Sequence, residues 1–104
     1  MITTKDKKRL SPSECCLYEC ELLEGEKLQG LILSSRQVDI FFVDHSNFPA
    51  WMRDETFDHV CCHKSVSNGT INFLAPKEAS WFLIIENNGN ESASIEVTVN
   101  VSNQ

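Results

Sequence analysis

The sequence predicts an all-β fold, a single antiparallel β-sandwich of about seven strands. Three observations carry that expectation. Ala93, Ile95, Val97, Val99 and Val101 alternate with Ser94, Glu96, Thr98, Asn100 and Ser102. A period of two buries one face of a strand and wets the other. Short apolar runs rich in β-branched and aromatic residues recur along the chain, separated by Gly, Pro, Asn and Ser clusters roughly every eight to twelve residues. No apolar pattern of helical period lasts beyond about a turn or two.

Residues 1–13 are polar and contain Pro12, and read as a flexible tail ahead of a domain over 14–104. From Cys15 the alternation starts, with Cys16, Tyr18, Cys20 and Leu22 on one face and Glu19 and Glu21 on the other. Glu24-Gly25-Glu26 turns the chain into a second strand over 27–33. Ser34-Ser35-Arg36 reads as a short turn, and Val38, Ile40 and Phe42 then line one side of a third strand over 38–43. Residues 44–58 break the pattern and gather Phe48, Trp51 and Phe57 in one loop with room for a helical turn. Residues 59–66 and 71–74 read as a fourth and a fifth strand around a turn at Ser67-Asn68-Gly69-Thr70. The run 81–86 is apolar on both faces, which suits a central strand covered on both sides. Asn87-Asn88-Gly89-Asn90 predicts a hairpin from there into the last strand.

At 104 residues and 41% hydrophobic content the chain is sized for one domain with a core of its own. A net charge of −6 and a pI near 4.9 repel phosphate backbones and anionic lipid, which argues against nucleic-acid partners. The one basic cluster, Lys5, Lys7, Lys8 and Arg9, lies in the expected tail and reads as solvated. No stretch reaches the roughly 18 apolar residues of a membrane span. The basic N-terminus has no apolar run behind it, so it lacks the pattern of a signal peptide. Localisation is therefore cytoplasmic as written, or exported if the chain is an excised mature domain.

The order of pieces resembles the GOLD-type β-sandwich, the lumenal domain of Golgi cargo receptors, and small prokaryotic relatives. Five stretches carry the resemblance: Glu14-Cys15-Cys16-Leu17-Tyr18-Glu19; Leu23-Glu24-Gly25-Glu26-Lys27-Leu28-Gln29-Gly30; Val38-Asp39-Ile40-Phe41-Phe42-Val43-Asp44; Gly69-Thr70-Ile71-Asn72-Phe73-Leu74-Ala75-Pro76; and Ser80-Trp81-Phe82-Leu83-Ile84-Ile85-Glu86-Asn87. Its motifs are turn residues and alternation. The resemblance implies a lone binding module with no catalytic residues. The family's eukaryotic members pair a first-strand cysteine with one that would fall near Ile84, where this chain has none; that disulfide is absent, and the cargo-receptor role does not transfer.

Five cysteines form two clusters, Cys15, Cys16 and Cys20, then Cys61 and Cys62. Buried reduced thiols, one or two bridges between the clusters, and a metal site all stay open at this point. For a metal, strand periodicity sets His59, Cys61 and His63 on one face, with Cys20 or Cys16 as a further ligand. The outer two of that trio would be about 13 Å apart, and the turn-set Cys pairs of structural zinc sites are missing. No nucleophile elbow, phosphate loop or metalloprotease motif occurs. The expectation is a non-enzyme without cofactors. Asn68-Gly69-Thr70, Asn90-Glu91-Ser92 and Asn100-Val101-Ser102 match the glycosylation acceptor pattern, with Asn68 and Asn90 expected at turns.

The aromatic loop is the strongest binding candidate. Loops on a rigid scaffold carry recognition, and Phe48, Trp51, Met52 and Arg53 bring residue types enriched at interfaces. The sequence therefore predicts recognition of a protein or a glycan through these four residues. The alternative is a small metal-binding or redox-responsive protein using the Cys/His clusters.

Overall fold

The computed structural model describes the backbone of residues 2–53 and 60–102 and the side chains of 5–53 and 66–101. Six strands and one short helix follow in the order β1 (Ile2–Leu10), β2 (Cys15–Leu22), β3 (Lys27–Asp44), α1 (Phe48–Met52), β4 (Val60–Leu74), β5 (Ala79–Glu86) and β6 (Ala93–Ser102). All strand pairs are antiparallel and belong to one sheet in the order β1-β6-β3-β5-β2, with β4 also on β3. The fold is all-β, as the alternation predicts.

The long strand β3 organises this sheet. Its first half, from Lys27 to Ser34, pairs with β6, and its second half, from Asp39 to Asp44, pairs with β5. β4 follows it along the other side through both halves. One half of the sheet is thus β1-β6-β3-β4, and the other is β2-β5-β3-β4. The two halves bury a common core, to which all six strands contribute. Leu28, Ile32, Val38, Ile40 and Phe42 line the inner face of β3, facing Leu83 and Ile85 of β5 and Ile95, Val97 and Val99 of β6. Phe42 stacks on Phe73 of β4 with ring centroids 4.4 Å apart, and Phe73 meets Trp81 edge-on at 5.0 Å. Each such side chain contributes on the order of 2 kcal/mol through burial.

Three local expectations change. The turn signals at 34–36 and 67–70 bend the chain without reversing it. Leu33 pairs with Asn68 and Val38 with Val66, so residues 34–37 of β3 bulge against Ser67 alone. A bulge adds residues to one strand and bends it, and small polar residues serve that purpose as readily as a turn. The four expected strands are therefore two. Gly69 fits the bend because a Cβ there would lie 2.8 Å from the Ile40 side chain. Gly30 sits where β6 comes closest, its added Cβ falling 2.5 Å from the Thr98 carbonyl oxygen.

The expected flexible tail at 1–13 is largely strand β1, paired with β6 from Ile2 to Leu10. Among its described side chains only Leu10 reaches the core. An edge strand is held by main-chain pairing and needs few apolar residues. Its polarity hid it.

The expected hairpin at 87–90 is a crossover, since β5 pairs with β2 and β3 while β6 pairs with β1 and β3. Asn87 supplies the reason. Its side chain is 1% exposed and its amide donates to the carbonyls of Leu10 at 3.0 Å and Glu91 at 2.8 Å, while accepting from the Gly89 amide at 3.1 Å. Its backbone bonds Ser13 and Glu14. One asparagine ties the β1–β2 crossover to the β5–β6 crossover. At the opposite end, Gly25 (φ +85°) and Glu26 exchange backbone bonds with Ala75, tying the β2–β3 and β4–β5 links.

Asn87→Ala should therefore lower unfolding free energy by about 1–3 kcal/mol. Urea titration measures it, with an exposed control such as Asn90→Ala expected near zero.

Candidate functional site

α1 sits on the outer face of the β5 half. It forms because Asp44, at the end of β3, organises the turn before it. The Asp44 carboxylate accepts from the Asn47 amide at 2.9 Å, the Asn47 side chain at 2.8 Å and the Ser46 hydroxyl at 3.0 Å. Lys77, from the β4–β5 link, pairs with its other oxygen at 2.6 Å. Pro49 then opens the helix, where a missing N–H costs nothing. Burial pushes the Asp44 carboxyl up, but the bonds from Lys77, Asn47 and Ser46 outweigh it and hold the group at about 2.

Spacing of three places Phe48 and Trp51 on the inner side of this turn. Phe48 stacks on Phe82 at 4.1 Å, Trp51 meets Phe41 edge-on at 6.5 Å, and the two helix rings lie 5.5 Å apart. With Phe41, Val43 and Ile84 they make a second, smaller core. The outer apolar face of β5 is thus explained: it seats the helix. Met52 is 66% exposed, and Arg53 at the helix end is exposed too. Of the four expected binding residues, Phe48 and Trp51 are half-buried supports, and Met52 and Arg53 face outward. Phe57 lies outside the described residues.

Neighbouring positions on the same outer face complete the surface. Leu17 of β2, 40% exposed, is in register with Ile84, and exposed Glu19 is in register with Phe82. The face is an apolar patch with an acidic border. Sequence reasoning had set Glu19 in water but had no means of placing it beside the helix, because that adjacency runs through strand pairing.

Most of the candidate metal ligands fall outside the described side chains. His59 and the side chains of Cys61 and His63 lie outside the described residues. Cys20 is half-buried on β2 opposite Trp81 and packs on the main core. β5 and β3 separate β2 from β4, so Cys20 and the β4 positions are about 14 Å apart along the sheet. A bridge between the cysteine clusters, one of the three readings left open, would have to span the same separation. Among the described residues no three His, Cys, Asp or Glu side chains could hold an ion, and Cys15, Cys16 and Cys20 are free thiols.

All three thiols are pushed up, chiefly by burial, Cys16 to about 11 despite the Tyr18 hydrogen bond and nearby Lys8. A raised thiol is a poor nucleophile at neutral pH. Of the expected acceptor asparagines, Asn68 and Asn90 are exposed, although Asn68 sits within β4 and Asn100 within β6.

No protein-family model matches the chain, and no curated protein matches it. Among the described residues no helix is long and apolar enough to cross a membrane. Solved structures do match. Aeromonas hydrophila PliG, a periplasmic lysozyme inhibitor of g-type lysozyme, is similar with a TM-score of 0.75 and 8% identity, over 96% of this chain and 86% of that one. The Yersinia pseudotuberculosis-derived mitogen gives 0.66 and 9%, over 99% and 88%. Salmonella Typhimurium PliG gives 0.60 and 8%, over 96% and 91%. At these identities the likeness is one of fold.

Two measurements check the site. The Asp44 carboxyl is lowered in the folded state, so its stabilisation is complete above the unfolded value of 3.8 and is lost as pH falls towards about 2. Asp44→Asn should therefore be less stable than wild type at neutral pH, and urea midpoints should converge as pH drops through that window. Peptide-resolved alkylation near neutral pH should label Cys15, Cys16 and Cys20 more slowly than a small free thiol, with Cys16 among the slowest.

Proposed function

We propose that this chain is a non-catalytic recognition module that binds a protein through the surface built on α1. The observation that carries this reading is the arrangement of the helix itself. Two aromatic rings are spent on seating it, and the seating presents Met52 and Arg53 outward beside Leu17. A rigidly mounted apolar and arginine-bearing projection is the kind of group that concentrates binding energy. The similar structures are inhibitors of a lysozyme and a mitogen, which supports binding to another macromolecule over catalysis. A glycan is the second ligand class, for which half-buried Trp51 would supply the stacking face.

Trp51 also packs on Phe41 and Phe48, so Trp51→Ala would mix lost stability with lost binding. Met52→Glu is the cleaner variant, since that side chain is 66% exposed. It should leave the thermal midpoint close to wild type and weaken a protein partner by at least about tenfold. The first partner to assay is g-type lysozyme, followed by proteins retained on the immobilised chain. Wild-type affinity in this variant for every partner found would remove the α1 surface as the binding site.

A further inference from the structure

We propose that the two edges of the sheet, β1 and β2, are complementary to each other in trans, so that copies of this chain associate by β1-to-β2 strand pairing. β1 pairs with β6 and β2 with β5, and among the described residues neither has a strand on its other side. They are nine and eight residues long, closely matched. An unpaired edge of that length offers a row of main-chain donors and acceptors to a second strand.

Charge selects which strand that is. Lys5, Lys7 and Arg9 of β1 are in register with Thr98, Glu96 and Ser94, the outward residues of β6, and all three are exposed. Glu19 and Glu21 of β2 are in register with Phe82 and Ser80 on the outward face of β5, and are exposed as well. Two β1 edges would set cation against cation, and two β2 edges carboxylate against carboxylate. Only β1 against β2 puts opposite charges across the new pair, which favours that pairing and penalises the like ones. Lys7 reaches Glu96 of its own sheet at 3.5 Å with its side chain 80% exposed, so it stays at the surface.

The outer face next to that edge is open as well: a depression of about 500 Å³ lies over the β1–β6–β3 face, lined by Lys7, Arg9, Leu33, Ser35, Ser94 and Glu96. Half-exposed Leu17 of β2 is the apolar side chain a second copy would bring towards this face. The Tyr18 hydroxyl donates to Asp6 at 2.9 Å, which holds both edges on the same side of one molecule. Two copies can then exchange both contacts in a closed dimer, or each can make one contact and continue the chain.

Sedimentation velocity on purified chain at low and high salt tests this. The expected result is a dimer or larger species at about 20 mM salt that dissociates at least about tenfold more readily near 0.5 M. Lys5→Glu with Arg9→Glu should abolish association, and so should Glu19→Lys with Glu21→Lys. Combining all four substitutions in one chain, or mixing the two variants, should restore it. That restoration also shows that each variant is folded. A monomer at every salt concentration, or association that ignores both reversals, would overturn the proposal.

Discussion

The constraint on which everything else depends is that β3 belongs to both halves of the sheet. A strand that pairs with β6 over its first half and with β5 over its second must bend between them, and β4 must bend with it. The bulge at residues 34–37 opposite Ser67 is where that happens. Because the inward positions of β3 keep their alternation from Leu28 to Phe42, both halves close on the same core. The bend also decides where the outer apolar residues go. Phe41 and Val43 fall on the far side of the second half, and with Phe82 and Ile84 they need a cover. α1 is that cover.

Polar ties fix the links that the bend leaves in place. Asn87 and the Gly25–Ala75 exchange join the crossovers in pairs at opposite ends. Asp44 joins the end of β3 to the start of α1 and to Lys77. Buried polar groups of this kind cost free energy when unpartnered, and once satisfied they specify one arrangement over its alternatives. Asp44 therefore does two things for the proposed recognition surface. It sets the direction in which the helix leaves the sheet, and it anchors that helix to the neighbouring loop. Function in this account depends on how well a five-residue helix is held.

Much of this was legible in the residues. Period-two alternation located β2 and β6, and the two-sided apolarity of 81–86 marked β5 as a central strand. The aromatic loop was recognisable as a break in the strand pattern with room for a helical turn, which α1 fills. Three things were hidden, each for a physical reason. β1 carries almost no apolar signal because an edge strand is held by its backbone. Ser34-Ser35-Arg36 and Ser67-Asn68-Gly69-Thr70 look like reversals because a bulge and a turn favour the same small polar residues. The role of Asn87 depends on Leu10, 77 positions away in the chain, and no local window contains that bond.

The continuity of β3 and β4 through their shared bend is open to direct inspection by NMR. Cross-strand proton contacts between Leu33 and Asn68 and between Ile32 and Gly69, with extended backbone couplings at 67–70, are the expected result. Short-range contacts of a reversed turn across 67–70, without those cross-strand pairs, would mean two separate hairpin strands. The two halves would then no longer share β3 and β4, and the seating of α1 on the second half would lose its explanation.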